Sequence, residues 1–403
     1  MNILVLNSGS SSLKYQLIDM KSETVLAKGI CERIALGGSK IRQTTITGKI
    51  FEKEISNINN HKEAFFWIEN MLTNKQFGII KDINEIDAVG HRVVHGGEYF
   101  SKPARIDDEV ERIIEKLIPL APLHNAAHLE GIRVCRELLN ASIPQVAVFD
   151  TSFYSSIPKE AYIFPIPYEY YEKYHIRKYG FHGTSHKFVS KKYCRLANKK
   201  FNNIKIISCH LGNGSSITAI KNGIAIETSM GLTPLGGIMM GTRSGDIDPS
   251  VILSIAEREH LNASEINSIL NKKSGLLGVS GLCSDDRVIT DAEISGNERA
   301  KLAHQMMVYQ ITQFIGAYIT VLKGCDALIF TGGIGENQWM HRENICNNLK
   351  FMGLEIDSEK NKLTIDGNEG RISSKNSKID VFVIPTDEEL SIARDTLELL
   401  ESS

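Results

Sequence analysis

Three short, mainly apolar stretches, residues 3–6, 204–207 and 327–330, each lead into a glycine-rich segment: NSGSSSLKY at 7–15, HLGNGSS at 210–216 and TGGIGEN at 331–337. Their length and composition predict buried strands, and residues 86–89 and 145–149 add two more. Between them residues 62–72 and 108–117 predict helices, the second with Val110, Ile113, Ile114 and Leu117 on one face. Short polar strands are expected up to Ile50, turned by GGSK and ITGK. A long helix over 299–322 places Ala303, Met306, Met307, Ile311, Ile315 and Ile319 at core spacing. Near the end, Thr386 and Glu389 have capping-box spacing before an amphipathic helix, which leaves Glu388 for other work. Strands alternating with helices predict an α/β fold.

Two of the glycine-rich segments repeat each other. Gly9, Ser11 and Ser12 fall 203 residues before Gly212, Gly214 and Ser215, and both places continue as an alternating strand. That offset is half of the 403 residues, so two copies of one topology are expected. The Pro- and Tyr-rich stretch SSIPKEAYIFPIPYEYY after Asp150 is the expected boundary. The first domain should cover 1–151, completed by a C-terminal helix at 386–403, and the second 152–385.

Composition narrows the partners. With 42% hydrophobic and 23% charged residues the chain is globular, and a net charge of -2 gives no general pull toward nucleic acid or an anionic membrane. Small anions are the expected ligands. No basic segment precedes the first apolar run and no span of about 18 apolar residues occurs, so a cytoplasmic protein is expected. Seven scattered cysteines without a CxxC pair fit reduced thiols.

Glycine turns after strands let backbone N–H groups converge on an anion, and three of them read as phosphate cradles. None matches GxxxxGK[ST] or GxGxxG, which excludes a P-loop NTPase and a dinucleotide dehydrogenase. Lys14 follows the serine-rich turn and offers a point charge. In GHRVVHGG (90–97), Arg92 stands where a guanidinium can clamp a carboxylate or phosphate. MGTRSGDIDP (240–249) presents Arg243 among small residues before a helix expected near Pro249, with Asp246 and Asp248 read as helix-start residues. Histidines pair at i, i+4 three times (His91 and His95, His124 and His128, His182 and His186), but without the Glu of HExxH or a further ligand at zinc-like spacing a metal reading is rejected. His182, between Phe181 and a glycine, is placed to meet a transferring group. Asp150 at a strand end, Asp285 with Arg287, Glu388 and Asn7 are the polar candidates for a ligand crevice.

Taken in order, NSGSSSLKY, GHRVVHGG, YGFHGTSH (179–186), HLGNGSS, MGTRSGDIDP, SGLLGVSG, TGGIGEN and PTDEEL resemble the motifs of the acetate and butyrate kinase family, and they span nearly the whole chain. The resemblance implies two duplicated α/β domains of the actin, sugar kinase and Hsp70 type (ribonuclease H-like) around a nucleotide cleft. It implies a homodimer that uses ATP and Mg²⁺, or Mn²⁺, to convert acetate reversibly to acetyl phosphate with release of ADP. By matching motif, Asn7 and Glu388 would hold the metal, and Lys14, Ser10 and Ser12 would lie near the ATP phosphates. Arg92 would bind the acetate carboxylate, Asp150 would act as acid/base or positioning residue, and His182 and Arg243 would stabilise the transition state. His210, Leu211, Gly212, Asn213 and Gly214, then Asp285, Asp286 and Arg287, then Gly333, Ile334, Gly335, Glu336 and Asn337 would contact the nucleotide. Val94, Leu123 and Pro234 would wall a methyl pocket. Departures are Tyr154 where histidine is common, Gly236 and Ile238 where Glu and Leu are usual, and Asp387 where asparagine is frequent. A propionate or butyrate kinase, or a nucleotide-switched binding protein of the same fold, are the rival readings.

Overall fold

The computed structural model describes residues 1–402, apart from the side chain of Leu123. The chain forms two compact units, Met1–Ser155 with Asp387–Ser403, and Ser156–Thr386.

The first unit is built on a sheet of eight strands, β1 (Asn2–Gly9), β2 (Ser12–Asp19), β3 (Thr24–Glu32), β4 (Ser39–Thr45), β5 (Ile50–Ile55), β6 (Ala88–Val93), β7 (Ala104–Arg105) and β8 (Gln145–Phe149). Their order is β5-β4-β3-β2-β1-β6-β8-β7. β1 to β5 form an antiparallel meander, while β6 and β8 run parallel to β1. The apolar run of β1 is continuous because both its faces are covered. Leu4 and Leu6 pack with Phe65 and Ile68 of the helix His61–Thr73 and Cys135 of the helix Pro122–Leu138; Ile3 and Val5 pack with Ile392 and Ala393 of the C-terminal helix Glu388–Glu401. That last helix is not capped by Thr386. Asp387 is its N-cap and accepts from the Leu390 N–H at 2.9 Å, because three consecutive acidic residues offer competing caps and the first has the non-helical backbone a cap requires.

The second unit repeats the plan with β9 (Lys205–Leu211), β10 (Ser215–Lys221), β11 (Ile224–Thr228), β12 (Ala327–Thr331), β13 (Gly370–Arg371) and β14 (Asp380–Val383), ordered β11-β10-β9-β12-β14-β13. Again the first three strands are antiparallel, and β12 and β14 run parallel to β9. In both sheets an antiparallel run, β3-β2-β1 or β11-β10-β9, is followed by two strands parallel to its last member, β6-β8 or β12-β14, with a short antiparallel edge strand beyond, the duplicated α/β arrangement expected of the actin and sugar kinase type. The helix Glu298–Leu322 covers one face with Ala303, Met307, Ile311, Ile315 and Leu322 buried. Met306 is exposed, not core: it is turned about 100° from Met307 on the helix, and only one of the two can face the sheet.

The aromatic connector forms two short helices, Lys159–Tyr162 and Glu169–Tyr174, and leaves Ile166, Tyr168, Tyr170 and Tyr174 exposed rather than packed in a core. All seven cysteines are unpaired. Among the described residues no helix is long and apolar enough to cross a membrane.

Candidate active site

In the first unit the polar candidates gather where the parallel strands end. Leu6 pairs with His91 and Val93 with Phe149, so Asn7, Arg92 and Asp150 occupy neighbouring strand ends. Arg92 donates from Nε and NH2 to the two carboxylate oxygens of Asp150 at 3.3 and 2.7 Å, a bidentate pair. Its NH1 lies 3.5 Å from Asn7 Oδ1, and Nε is 3.7 Å from Glu388 Oε2. Asp150 is 1% exposed, Arg92 and Glu388 21% each, so the pair is shielded on one side only. Burial, together with the charge of Asp150, pushes the Glu388 carboxyl above its ordinary range even with Arg92 and Lys14 pulling the other way. Although burial opposes its charge, Arg92 is held cationic by Asp150 and Glu388. Lys14 pairs across the hairpin with Asn7 and so projects from the same face of the sheet. Ser10 is exposed in the tight turn and Ser12 opens β2. Val94 is buried, its N–H 3.4 Å from His128 Nδ1; the side chain of Leu123 lies outside the described residues.

In the second unit a histidine and an arginine meet at the matching hairpin turn. His182 precedes the helix Gly183–Leu196 in a left-handed conformation, φ 58°, which swings its ring out of the helix register. The ring stacks on His210 at 4.3 Å, and its Nδ1 bonds Ser216 Oγ at 2.9 Å. A side chain at Gly214 would stand 3.4 Å from Arg243 NH1 and 3.5 Å from His182 Nε2, so both cationic-type groups converge on that glycine. The Arg243 NH1 also donates to the Pro234 carbonyl at 3.2 Å, and burial lowers its pKa from the ordinary arginine value. Behind this front sits a hydroxyl–imidazole chain that sequence reading missed. His186 bonds Ser208 and Ser216, and Ser185 bonds His210 and Thr386. Burial and His210 keep His186 well below the usual histidine pKa. Its sequence signal lay in YGFHGTSH and HLGNGSS, which hold Ser185, His186, His210 and Ser216, with Ser208 in an otherwise apolar strand.

The other candidates of this unit line a cavity of about 580 Å³: Gly212, Asn213, Asp285, Asp286, Arg287, Gly333, Ile334 and Asn337, joined by Ser284, Gln338 and Asp366, which the motifs did not single out. Leu211 ends β9 and is buried. A Cβ at Gly241 would lie 2.0 Å from Asn213 Oδ1, which is why that loop can press so closely on the turn. TGGIGEN does not stay an open loop: residues Gly332–Asn337 form a short helix, with Gly332 at φ 77°. Glu336 points back and accepts from the Gly332 N–H at 2.8 Å, which holds the turn. Beneath it Arg342 is fully buried, and all five of its N–H groups bond: to Asn361 Oδ1 and to the carbonyls of Gly335, Glu336, Asn361 and Thr364. Burial without a carboxylate partner lowers its pKa to about 10.

Asp285 caps the helix Asp286–Ile294 and pairs with the exposed Arg287 at 2.7 Å. Asp286, by contrast, turns inward to His304 and His341. Asp248 caps the helix Pro249–Glu259, as expected, but Asp246 does not start a helix. Its Oδ1 accepts from the Gly237 N–H at 2.7 Å and ties down the glycine loop in front of Arg243. The remaining histidine pairs are separately bonded: His91 to Gln145 at 2.8 Å, His95 through the Gly97 N–H, His128 through the Val94 N–H.

The Acetokinase family model matches residues 2–394, and the chain belongs to that family. It is 51% identical to the acetate kinase of Thermotoga maritima over 403 residues, covering 100% of this chain and 99% of that one. The acetate kinase of Clostridium acetobutylicum is 51% identical over 401 residues, 99% of each chain. Among solved structures, the Porphyromonas gingivalis acetate kinase superposes with a TM-score of 0.95 at 47% identity, over 99% of both chains. A propionate kinase from Francisella tularensis gives 0.91 at 43% identity, covering 98% of this chain and 99% of that one.

Proposed function

We propose that this chain transfers the γ-phosphoryl group of ATP to acetate, reversibly, giving acetyl phosphate and ADP, and that it does so as a Mg²⁺-dependent cytoplasmic homodimer. The observation that carries the reading is the bidentate Arg92–Asp150 pair among strand ends. Asp150 takes the Nε/NH2 edge of the guanidinium and Asn7 Oδ1 lies 3.5 Å from NH1, so the side on which acetate would bind has its orientation already set.

Acetate is ionised at neutral pH, since such carboxyls titrate at about 4 to 5, and it needs no general base. The barrier is the approach of one anion to another, with charge spreading over the phosphoryl oxygens during transfer. Arg92 binds the nucleophile, Asp150 positions Arg92, and Arg243 with His182 meets the transferring group. The cavity of about 580 Å³ would hold the nucleotide, and Lys14, Ser10 and Ser12 would serve its phosphates. Asn7 and Glu388 offer side-chain oxygen ligands at the strand ends where Asp150 also stands, which fits a hard dication such as Mg²⁺ or Mn²⁺. When bound, the ion would neutralise charge on the phosphate oxygens. Val94, Leu123 and Pro234 would bound the methyl group. The exposed aromatics of the connector are the surface offered for the homodimer.

Trapping acyl phosphate with hydroxylamine from Mg²⁺, ATP and acetate, beside propionate and butyrate, tests the reading. Product strongest with acetate supports it. Product strongest with propionate assigns the chain to the chemistry of its 43% identical neighbour. ATP hydrolysis with no trapped product overturns the kinase and leaves a nucleotide-switched binding protein.

A further inference from the structure

Asp286, His304 and His341 come from three different helices, Asp286–Ile294, Glu298–Leu322 and Trp339–Asn348, and each is at least nine-tenths buried. His304 Nε2 lies 3.3 Å from Asp286 Oδ1, and His341 Nε2 makes a long hydrogen bond of 3.2 Å to the same oxygen. Both separations are longer than the roughly 2.7–2.9 Å of a charge-assisted hydrogen bond. They match the edge of a tetrahedron whose corners sit about 2.0–2.1 Å from its centre, roughly 3.3–3.4 Å. Two further observations point to a missing positive centre. Asp286 Oδ2 is buried with no partner, and His304 Nε2 makes no hydrogen bond although it is this close to the carboxylate. Glu293, seven residues beyond Asp286 on the same helix, accepts from His304 Nδ1 at 2.6 Å. That contact puts the imidazole proton on Nδ1 and leaves the Nε2 lone pair aimed past the Asp286 oxygen, as two ligands of one ion require.

We propose that Asp286 Oδ1, His304 Nε2 and His341 Nε2 bind a transition-metal dication of the zinc class, with Glu293 as the carboxylate that orients His304. A three-ligand set leaves a fourth position. It faces the neighbouring cavity of about 480 Å³, which His304, His341, Glu293 and Asn344 help line, so water can complete the site. Asp286 also forms part of the wall of the 580 Å³ cavity, and the ion would fix that wall. The inference does not depend on the nucleotide reading or on the oxygen ligands Asn7 and Glu388.

The test is a titration of the metal-free full-length chain with Co²⁺, followed by its visible d–d absorption. The expected result is one tetrahedral Co²⁺ per chain, bleached by stoichiometric Zn²⁺ and without a thiolate charge-transfer band. His341→Gln and Glu293→Gln should each weaken Co²⁺ binding by about tenfold or more, whereas Glu388→Gln should not. Glu293→Gln leaves all three ligands in place and guards against a variant that merely fails to fold, which circular dichroism checks. Absent tetrahedral bands, bands carrying thiolate character, or bands unchanged in both His341→Gln and Glu293→Gln overturn the proposal; the cluster is then a protonated histidine–carboxylate network.

Discussion

The two units place different chemistry on equivalent positions of one sheet. The 203-residue hairpin offset and the strand registers align Asn7 with His210, Lys14 with Ile217, Arg92 with Thr331 and Asp150 with Thr386. Where the first unit has an ion pair, the second has two threonines that share Glu336: the Thr331 hydroxyl and the Thr386 N–H both reach Glu336 Oε1 at 3.3 Å. Where Val93 continues a strand, the second unit has Gly332 in a left-handed turn. Under the proposed function, the strand end built for charge would bind by side chains and the one built for close approach by backbone. A duplicated scaffold can therefore divide an anionic acceptor and a polyphosphate between its halves without changing topology.

The largest expected effect separates the two arginines. Arg243→Ala should lower turnover by about a hundredfold or more, the roughly 3 kcal/mol of one preorganised donor, with little change in the acetate KM. Arg92→Ala should act more on KM. Equal, small effects of both in initial-rate assays would remove this division.

Asp150→Ala strips Arg92 of its partner. Breaking a fully buried pair costs about 3–5 kcal/mol, and because Arg92 is partly exposed about 2–3 kcal/mol is expected in urea unfolding. Asp150→Asn should lose rate that no rise in pH restores, since acetate has no proton to give up. Recovery at a higher pH would make Asp150 an acid/base group.

A pH experiment tests one aligned pair, His91 against Phe330. Burial depresses His91 to about 4, so as pH falls from 6.5 the unfolded chain takes up a proton that the folded chain refuses. Stability present above 6.5 is lost down to about 4, by up to about 3 kcal/mol for this one group. His91→Phe, the residue of the second unit, should flatten that slope by up to one proton in unfolding curves between these pH values. An unchanged slope would assign the acid sensitivity to other groups.

Smaller still is a glycine comparison. A Cβ at Gly332 would meet the Leu211 carbonyl oxygen at 2.7 Å on backbone that already has positive φ, so Gly332→Ala should cost about 2 kcal/mol and weaken ADP binding. At Gly9 the clash is with the Ser12 hydroxyl at 2.8 Å, which can rotate, and Gly9→Ala should stay within about 0.5 kcal/mol. Similar losses at both would mean that the turns are equally constrained.

Strands that end at the site were legible because their apolar runs stop abruptly at Asn7, at Thr331 and at Asp150. The repeat was legible because glycine and serine recur where a hairpin must turn. Less visible was anything decided by direction. Met306 and Met307 fit one helical stripe equally until the sheet selects one, and Thr386 looked like a cap until Asp387 took that place. Asp246 resembled a helix start because its bond to Gly237 crosses a loop. Asp286, His304 and His341 lie 18 and 37 residues apart along the chain, so no spacing rule could join them.

Arg342 shows what a fully buried knot of hydrogen bonds implies. Five N–H groups meet four carbonyls and one amide oxygen with no carboxylate among them, so the surrounding backbone forms a receptor for a guanidinium group. Shortening that side chain to alanine would leave the receptor empty and its acceptors dry. Free guanidinium, a denaturant at high concentration, should at millimolar levels refill the vacancy and raise the melting temperature of Arg342→Ala while leaving that of the unaltered chain unmoved.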